Sequence, residues 1–310
     1  MAGEAPIPPP ELSARMRNAP PSWREREGYL ERGRAARAAI ERMLPADWAW
    51  PGKTVLDFGC GTGRAVRHLA AEAPECELWG SDIDAACIEW DSAHLSPPVT
   101  FVVNDELPPL PFPDGKFDLV YALSVFTHIS DAWAAWLLEM DRILAPGGRL
   151  VATFMGEGMS EAVSGEPWNQ ALVGMNVHLP GQGWDLGGPM VLHSPWWIEE
   201  HWGRLFEVER LVPLGFIDYA AATGQDDHGA AALRKREGPA PTREKIERID
   251  PEDRREARAL DHQVRRLRAE NVAISAELRR LPAADERAPI SGREGVRAVW
   301  AAFRRRLGRG

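Results

Sequence analysis

The sequence predicts a doubly wound α/β domain with a mainly parallel sheet, followed by a helical C-terminal appendage. Three observations predict it. From residue 23 to about 155, short apolar runs ending in Gly or Asp alternate with helix-length amphipathic stretches, which is the pattern of successive βαβ units. The first of those runs opens into three closely spaced glycines, Gly59, Gly61 and Gly63, at a strand-to-helix junction. A clean heptad repeat lies apart from that alternation, after residue 250.

The elements follow in order. Residues 23–44 read as a helix that Pro45 closes. Residues 53–58 form a short buried strand, 64–72 a helix, 77–81 a second strand and 85–94 a second helix. Residues 99–103 and 117–123 supply the third and fourth strands, and 132–144 a helix broken by Pro146-Gly147-Gly148. Residues 149–154 form the fifth strand. Residues 156–194 are glycine-rich and hold Trp168 and Trp184; a long irregular stretch inside a compact domain reads as a lid or binding loop. A helix over 195–206 follows. Residues 206–212 and 229–234 then make a late antiparallel pair that brings the sheet to seven strands, the final one antiparallel.

The expected organisation is a disordered Pro-rich arm over 1–22, a catalytic domain over 23–236, a linker over 237–250, a coiled coil over 251–281 and a basic amphipathic tail over 282–310. The 310 residues hold one large domain with appendages, and 44% hydrophobic with 27% charged residues suits a packed core. No stretch approaches ~18 apolar residues. The opening MAGEAPIPPPEL lacks the basic start and apolar run of a secretory signal. Cys60, Cys76 and Cys87 are odd in number and lack CxxC spacing, which supports neither a disulfide framework nor a metal site and fits a reduced, cytoplasmic setting. Charge is uneven. Residues 1–222 carry 16 basic and 31 acidic side chains, residues 223–310 carry 21 and 15. The acidic half would repel a phosphate backbone, which counts against a nucleic-acid substrate.

The stretch Val55-Leu56-Asp57-Phe58-Gly59-Cys60-Gly61-Thr62-Gly63-Arg64 joins the first strand to the first helix of the alternating series. Its glycines allow a tight turn and a close ligand approach, and Asp82, at the end of the second strand, can accept from ribose hydroxyls. Alone this describes a nucleoside site. The carboxylate of Asp57 would disfavour a dinucleotide pyrophosphate, so a nicotinamide oxidoreductase is a poor reading. A ligand with an ammonium and a sulfonium would welcome it.

On these residues the chain resembles a class I S-adenosylmethionine-dependent methyltransferase of the broad type 11 kind. The resemblance rests also on Gly80-Ser81-Asp82-Ile83, on Leu110-Pro111-Phe112-Pro113-Asp114-Gly115 leading into Phe117-Asp118-Leu119-Val120, and on Arg142-Ile143-Leu144-Ala145-Pro146-Gly147-Gly148. It spans residues 50–155 strongly and 23–236 weakly. It implies a Rossmann-like sheet and S-adenosyl-L-methionine as cofactor. Gly59, Cys60 and Gly61 would contact the cofactor's amino-acid part, with Asp57 and Gly63 completing the loop. Asp82 would hold the ribose and Ile83 would lie against the adenine. Asp105, with Asn104 or Glu106, would reach the adenine amino group, although NDELPPLPF runs a residue longer than the family pattern. Leu123 and Ser124 would lie near the methyl group.

His128, in Ser124-Val125-Phe126-Thr127-His128 past the fourth strand, is the candidate general base, against a plain packing role. His178, Asp185 and His193 are further candidates for substrate contact. Trp196, Trp197 and Trp202 read as core, against an aromatic substrate shelf, and His68 and His94 as structural. No metal-ligand cluster stands out.

In the appendage, Ala257, Val264, Asn271 and Leu278 alternate with Leu260, Leu267, Ile274 and Leu281, four heptads that Pro282 stops. Asn271 at a core position favours a two-stranded homodimer through 251–281; packing on the chain's own domain is the rival. In 292–310, Val296, Val299, Trp300, Phe303 and Leu307 share one helical face among arginines, the pattern of a peripheral membrane contact at the inner face or of a basic tail. The expected function is methyl transfer to a small-molecule or glycan acceptor, most simply to oxygen. The alternative is a non-catalytic cofactor-binding scaffold that dimerises.

Overall fold

The computed structural model describes residues 5–13, 25–72, 75–217 and 228–279. A short helix α1 (Pro10–Ser13) and the longer α2 (Arg26–Met43) precede the alternating series β1 (Thr54–Phe58), α3 (Val66–Glu72), β2 (Glu77–Asp82), α4 (Ala85–His94), β3 (Val99–Val103), β4 (Phe117–Ala122), α5 (Trp133–Ile143) and β5 (Leu144–Met155). After it come α6 (Ser160–Ser164), β6 (Met175–His178), β7 (Met190–His193), α7 (Pro195–His201), β8 (Phe206–Val212), β9 (His228–Lys235), α8 (Arg243–Glu247) and α9 (Arg254–Leu278).

The strands β3-β2-β1-β4-β5 run parallel. On the other side of β5 lies β9, antiparallel from Arg149 opposite Arg234 to Met155 opposite His228, and β8 pairs antiparallel with β9. Those seven strands are the expected sheet. Two more were not expected. The hairpin β6–β7 lies inside the segment read as an irregular lid and joins the sheet through Met155 opposite Leu192. Its strands are only four residues long, too short for a pattern to stand out.

Period-2 alternation along the central strands sorts their side chains to the two faces. Val55, Leu119, Tyr121 and Val151 pack with Ala36, Ile40 and Leu69 from α2 and α3. Leu56, Phe58, Val120, Ala122 and Leu150 pack with Trp136, Leu137 and Met140 of α5. The sheet is therefore covered on both sides, and the carboxyl ends of β1, β2, β4 and β5 meet at one edge.

The appendages depart from expectation in three places. Part of the stretch read as a disordered arm is ordered: α1 is helical, and Pro6 O accepts from Arg67 Nη2 at 3.0 Å. Residues 14–24 lie outside the described residues. The expected linker, 237–250, contains α8, whose Thr242 cap accepts from Lys245 N and whose Ile246 is fully buried. Helix α9 begins after Asp253, which accepts from Arg255 N at 2.7 Å, rather than after Asp250. It docks on its own domain by a face at helical spacing. Glu256 meets His201, Ala259 is buried, Gln263 accepts from Val177 N, and Arg266 donates to Val177 O. The heptad face points elsewhere: Leu260 and Val264 are 41% and 42% exposed. Ala257 and Asn271 are exposed too, and Leu267 and Ile274 half-buried. The Leu278 side chain, Leu281 and the tail 282–310 lie outside the described residues.

Candidate active site

The turn after β1 is built by backbone conformation. Gly59, Gly61 and Gly63 have φ of 75°, 56° and 64°, in the left-handed region that side chains disfavour. A Cβ on Gly59 would meet Val125 Cγ2 at 2.3 Å, whereas a Cβ on Gly61 would meet nothing within 4 Å. One glycine is thus needed for packing and conformation, and the other borders open space. The turn is tied to β2: Gly59 N and Cys60 N both donate to Ser81 O, at 2.8 and 3.0 Å. The Asp82 carboxylate accepts from Gly61 N through Oδ2 and from Asp84 N through Oδ1, each at 2.8 Å. Tyr29, on α2, holds the far side by donating to Thr62 O at 2.8 Å.

Three buried carboxyls surround this turn: Asp57 on β1, Asp82 after β2 and Asp91 on α4. Burial, with Asp82 nearby, pushes Asp57 up to about 7; burial, with Asp57 nearby, pushes Asp91 up to about 8. Burial and the same carboxyls push the Cys60 thiol up as well. Asp57 Oδ2 and Asp91 Oδ1 are buried with no hydrogen-bond partner. Such a cluster suits a cationic ligand, because a positive charge lowers the repulsion that keeps these acids protonated. Sequence reasoning found Asp57 and Asp82 from the motif. It missed Asp91 and Tyr29, which reach the loop from helices and carry no local signal.

The adenine side is less convergent. Asn104 N donates to Asp82 O at 3.1 Å, and the buried Asn104 Oδ1 is unpartnered. Ile83 is half-buried, and Asp105 and Glu106 are exposed. Of the three expected adenine contacts, Asn104 alone is fixed against the loop by a hydrogen bond to Asp82.

Past β4, Ser124 holds φ of 59°, uncommon for a residue with a side chain, and its N–H donates to Thr153 Oγ1 at 2.7 Å. Leu123 beside it is half-buried. The chain then turns so that His128 N donates to Val125 O, and the insertion closes over it: Val191 N donates to Thr127 O at 2.9 Å. His128 Nδ1 lies 2.9 Å from Pro189 O, and burial holds the ring below the ordinary imidazole range. A neutral ring beside a carbonyl must carry its proton on Nδ1 and its lone pair on Nε2, the arrangement a base requires.

The structure does not bring the other candidates here. His193 is buried between the Trp197 and Trp202 rings, at 5.2 and 5.7 Å. His178 is buried against the appendage and Asp185 is exposed. Trp202 is fully buried and Trp133 meets Trp197 edge-on, as core packing predicts; Trp196 and Trp197 also border a cavity of about 240 Å³ against α9. Among the described residues no group of His, Cys, Asp or Glu could hold a metal.

The fold is that of class I S-adenosylmethionine-dependent methyltransferases. Residues 55–148 match the family described as "Methyltransferase domain", so S-adenosyl-L-methionine is the cofactor this edge is built for. Among curated proteins, the chain is 33% identical over 143 residues to a probable tocopherol O-methyltransferase of Oryza sativa subsp. japonica, covering 40% of this chain and 39% of that one. It is 36% identical over 127 residues to a demethylmenaquinone methyltransferase of Deinococcus radiodurans, covering 39% and 49%. The similarity thus spans less than half the length of either relative. Among solved structures, an S-adenosylmethionine-dependent methyltransferase from Mesorhizobium loti superposes with a TM-score of 0.50 at 19% identity, over 65% of this chain and 98% of that one, which shows the fold.

Proposed function

We propose that the chain transfers the methyl group of S-adenosyl-L-methionine to a hydroxyl of a small-molecule or carbohydrate acceptor, with His128 as general base. One observation carries the reading: the Pro189 carbonyl fixes the neutral His128 ring with its lone pair on Nε2, at the sheet edge beside Ser124. When bound, the cofactor supplies an electrophilic methyl group. Gly59–Gly63 and Asp82 would hold its amino-acid and ribose parts, and the acid cluster would balance its charge. The insertion, tied to Thr127 by Val191, would exclude water from the acceptor. His128 Nε2 would take the hydroxyl proton. The curated relatives named as O-methyltransferases support an oxygen acceptor.

Incubating the chain with S-adenosyl-L-methionine and a panel of hydroquinones, phenols and sugars, read by mass spectrometry, tests the reaction. Turnover is expected on one hydroxylated class. His128→Gln should lower kcat by ~10²–10⁴ without changing cofactor affinity. Tight cofactor binding with no turnover on any panel member would favour the scaffold reading.

A second observation supports self-association in either reading. Docking of α9 leaves Leu260 and Val264 on an open heptad face. We place a second copy there; equilibrium sedimentation should give a dimer at micromolar concentration and a monomer for Leu260→Asp, whereas a monomeric wild type contradicts it. The basic segment 292–310 would hold a cytoplasmic chain against anionic lipid, which co-sedimentation with anionic against neutral vesicles tests.

A further inference from the structure

Away from the cofactor edge, the insertion after β5 and helix α9 enclose a cavity of about 270 Å³. Trp168, Leu172, Val173 and Leu192 give it apolar walls, and His178 on β6 with His262 and Arg266 on α9 give it polar ones. The hydrogen bonds of the polar residues are incomplete in a consistent way. Arg266 spends Nη1 on Glu270 and Nη2 on Val177 O, and its Nε is buried without a partner. His262 Nε2 faces Glu166 Oε2 at 3.1 Å, and its Nδ1 is buried without a partner. His178 Nε2 is in the same condition. Buried nitrogens are seldom left unpaired, and three such residues here line one space.

The chemistry of the missing partner follows. Arg266 Nε is a donor at every working pH. His262, with Nε2 committed to a carboxylate, offers Nδ1–H when charged. The group that satisfies both must accept, and a carboxylate accepts through two oxygens. Burial, with Arg266 and His262 adding to it, pushes His178 down to about 3, so it adds a neutral contact and no charge. Two acids face these residues, Glu166 against His262 and Glu270 against Arg266, with side chains 50% and 34% exposed. Arg266 is 8% exposed. Arg266 Nε and His262 Nδ1 remain unpaired on this wall, and a carboxylate with two acceptor oxygens fits them. The apolar walls call for an organic body, and the volume is below the ~300 Å³ of the smallest drug-sized pockets.

We propose that this cavity is a binding site for a small organic carboxylate, with Arg266 and His262 gripping the carboxylate and Trp168 beside the apolar part. The site is separate from the cofactor loop and does not rest on the methyl-transfer reading.

The test uses the full chain and benzoate as probe, with benzamide as its neutral isostere and inorganic phosphate as a bare anion. Imidazole proton resonances of His178 and His262 are followed by NMR, assigned with His178→Asn and His262→Asn. Benzoate should shift both resonances saturably at about 1 mM, with benzamide and phosphate at least tenfold weaker. Arg266→Gln should weaken benzoate at least tenfold while S-adenosylhomocysteine affinity stays at the wild-type value, which shows the fold intact. Absence of a shift at about 10 mM benzoate, or an equal response to benzamide, overturns the proposal. So does a stronger response to phosphate. Should Arg266→Gln fail to fold, the benzoate–benzamide contrast on the wild type still decides.

Discussion

The loop after β1 and the junction of the insertion with α9 both hold buried polar atoms without partners, yet they are built by different means. The loop is made from residues close in sequence: three glycines with positive φ, two N–H groups on Ser81 O and one carboxylate spanning to β2. The junction is made from residues far apart: His201 Nε2 meets Glu256 Oε1 at 2.5 Å across 55 positions, and Gln263 reaches Val177 across 86. A site fixed by backbone geometry tolerates change around it. A site fixed by side-chain contacts between distant elements depends on each of them. The two regions should therefore fail differently, one through ligand binding and the other through docking.

The largest effect is expected at the junction. Glu256 is buried and also accepts from Asp250 N, so Glu256→Ala leaves His201 Nε2 without its partner and should cost about 3 kcal/mol, read by urea denaturation. Amide exchange should show lost protection over 254–270 with S-adenosylhomocysteine affinity unchanged. Loss of cofactor binding in this variant would break the comparison.

Next comes Gly59→Ala. It places a Cβ against Val125 in a left-handed conformation, at about 2–4 kcal/mol combined. Calorimetry should find cofactor binding lost from protein that is still folded, as circular dichroism reports. Retained affinity would show that the loop does not need its turn.

The smallest effect concerns pH. The Asp57 carboxyl, raised to about 7 from a model-peptide value of 3.8, holds its proton in the folded protein at pH 4–7 where the unfolded chain has lost it. Ionisation therefore costs stability as pH rises through that window. A cationic ligand favours the ionised form, so S-adenosylmethionine affinity should rise about tenfold from pH 6 to 8. Asp57→Asn should flatten the rise, and the step left by Asp91 should move below 8, because burial still raises that carboxyl but Asp57 no longer does. An unchanged slope would exclude Asp57 as the titrating group.

The same division explains what the sequence made legible. Strands β1 to β5, the late pair β8–β9, the glycine turn and Asp82 were readable because periodicity, glycine spacing and an acid at a strand end are local signals. The hairpin β6–β7 was not, because four-residue strands among glycines carry too little pattern. Helix α8 was hidden in a polar stretch where Ile246 alone announces burial. Asp91 and Tyr29 join the loop only through the packing of α4 and α2. In α9 the heptad is a pattern of the sequence alone, and the docked face comprises charged and polar residues, Glu256, Gln263 and Arg266, whose partners no local pattern names.

Calorimetry of S-adenosylmethionine, S-adenosylhomocysteine and NAD on wild type and Asp82→Ala tests the cofactor edge most directly. Micromolar binding of both sulfur ligands, none of NAD, and at least tenfold weakening in the variant (~1.4 kcal/mol) is the predicted result. Folded protein that binds neither sulfur ligand, or binds them equally well without Asp82, would contradict the account.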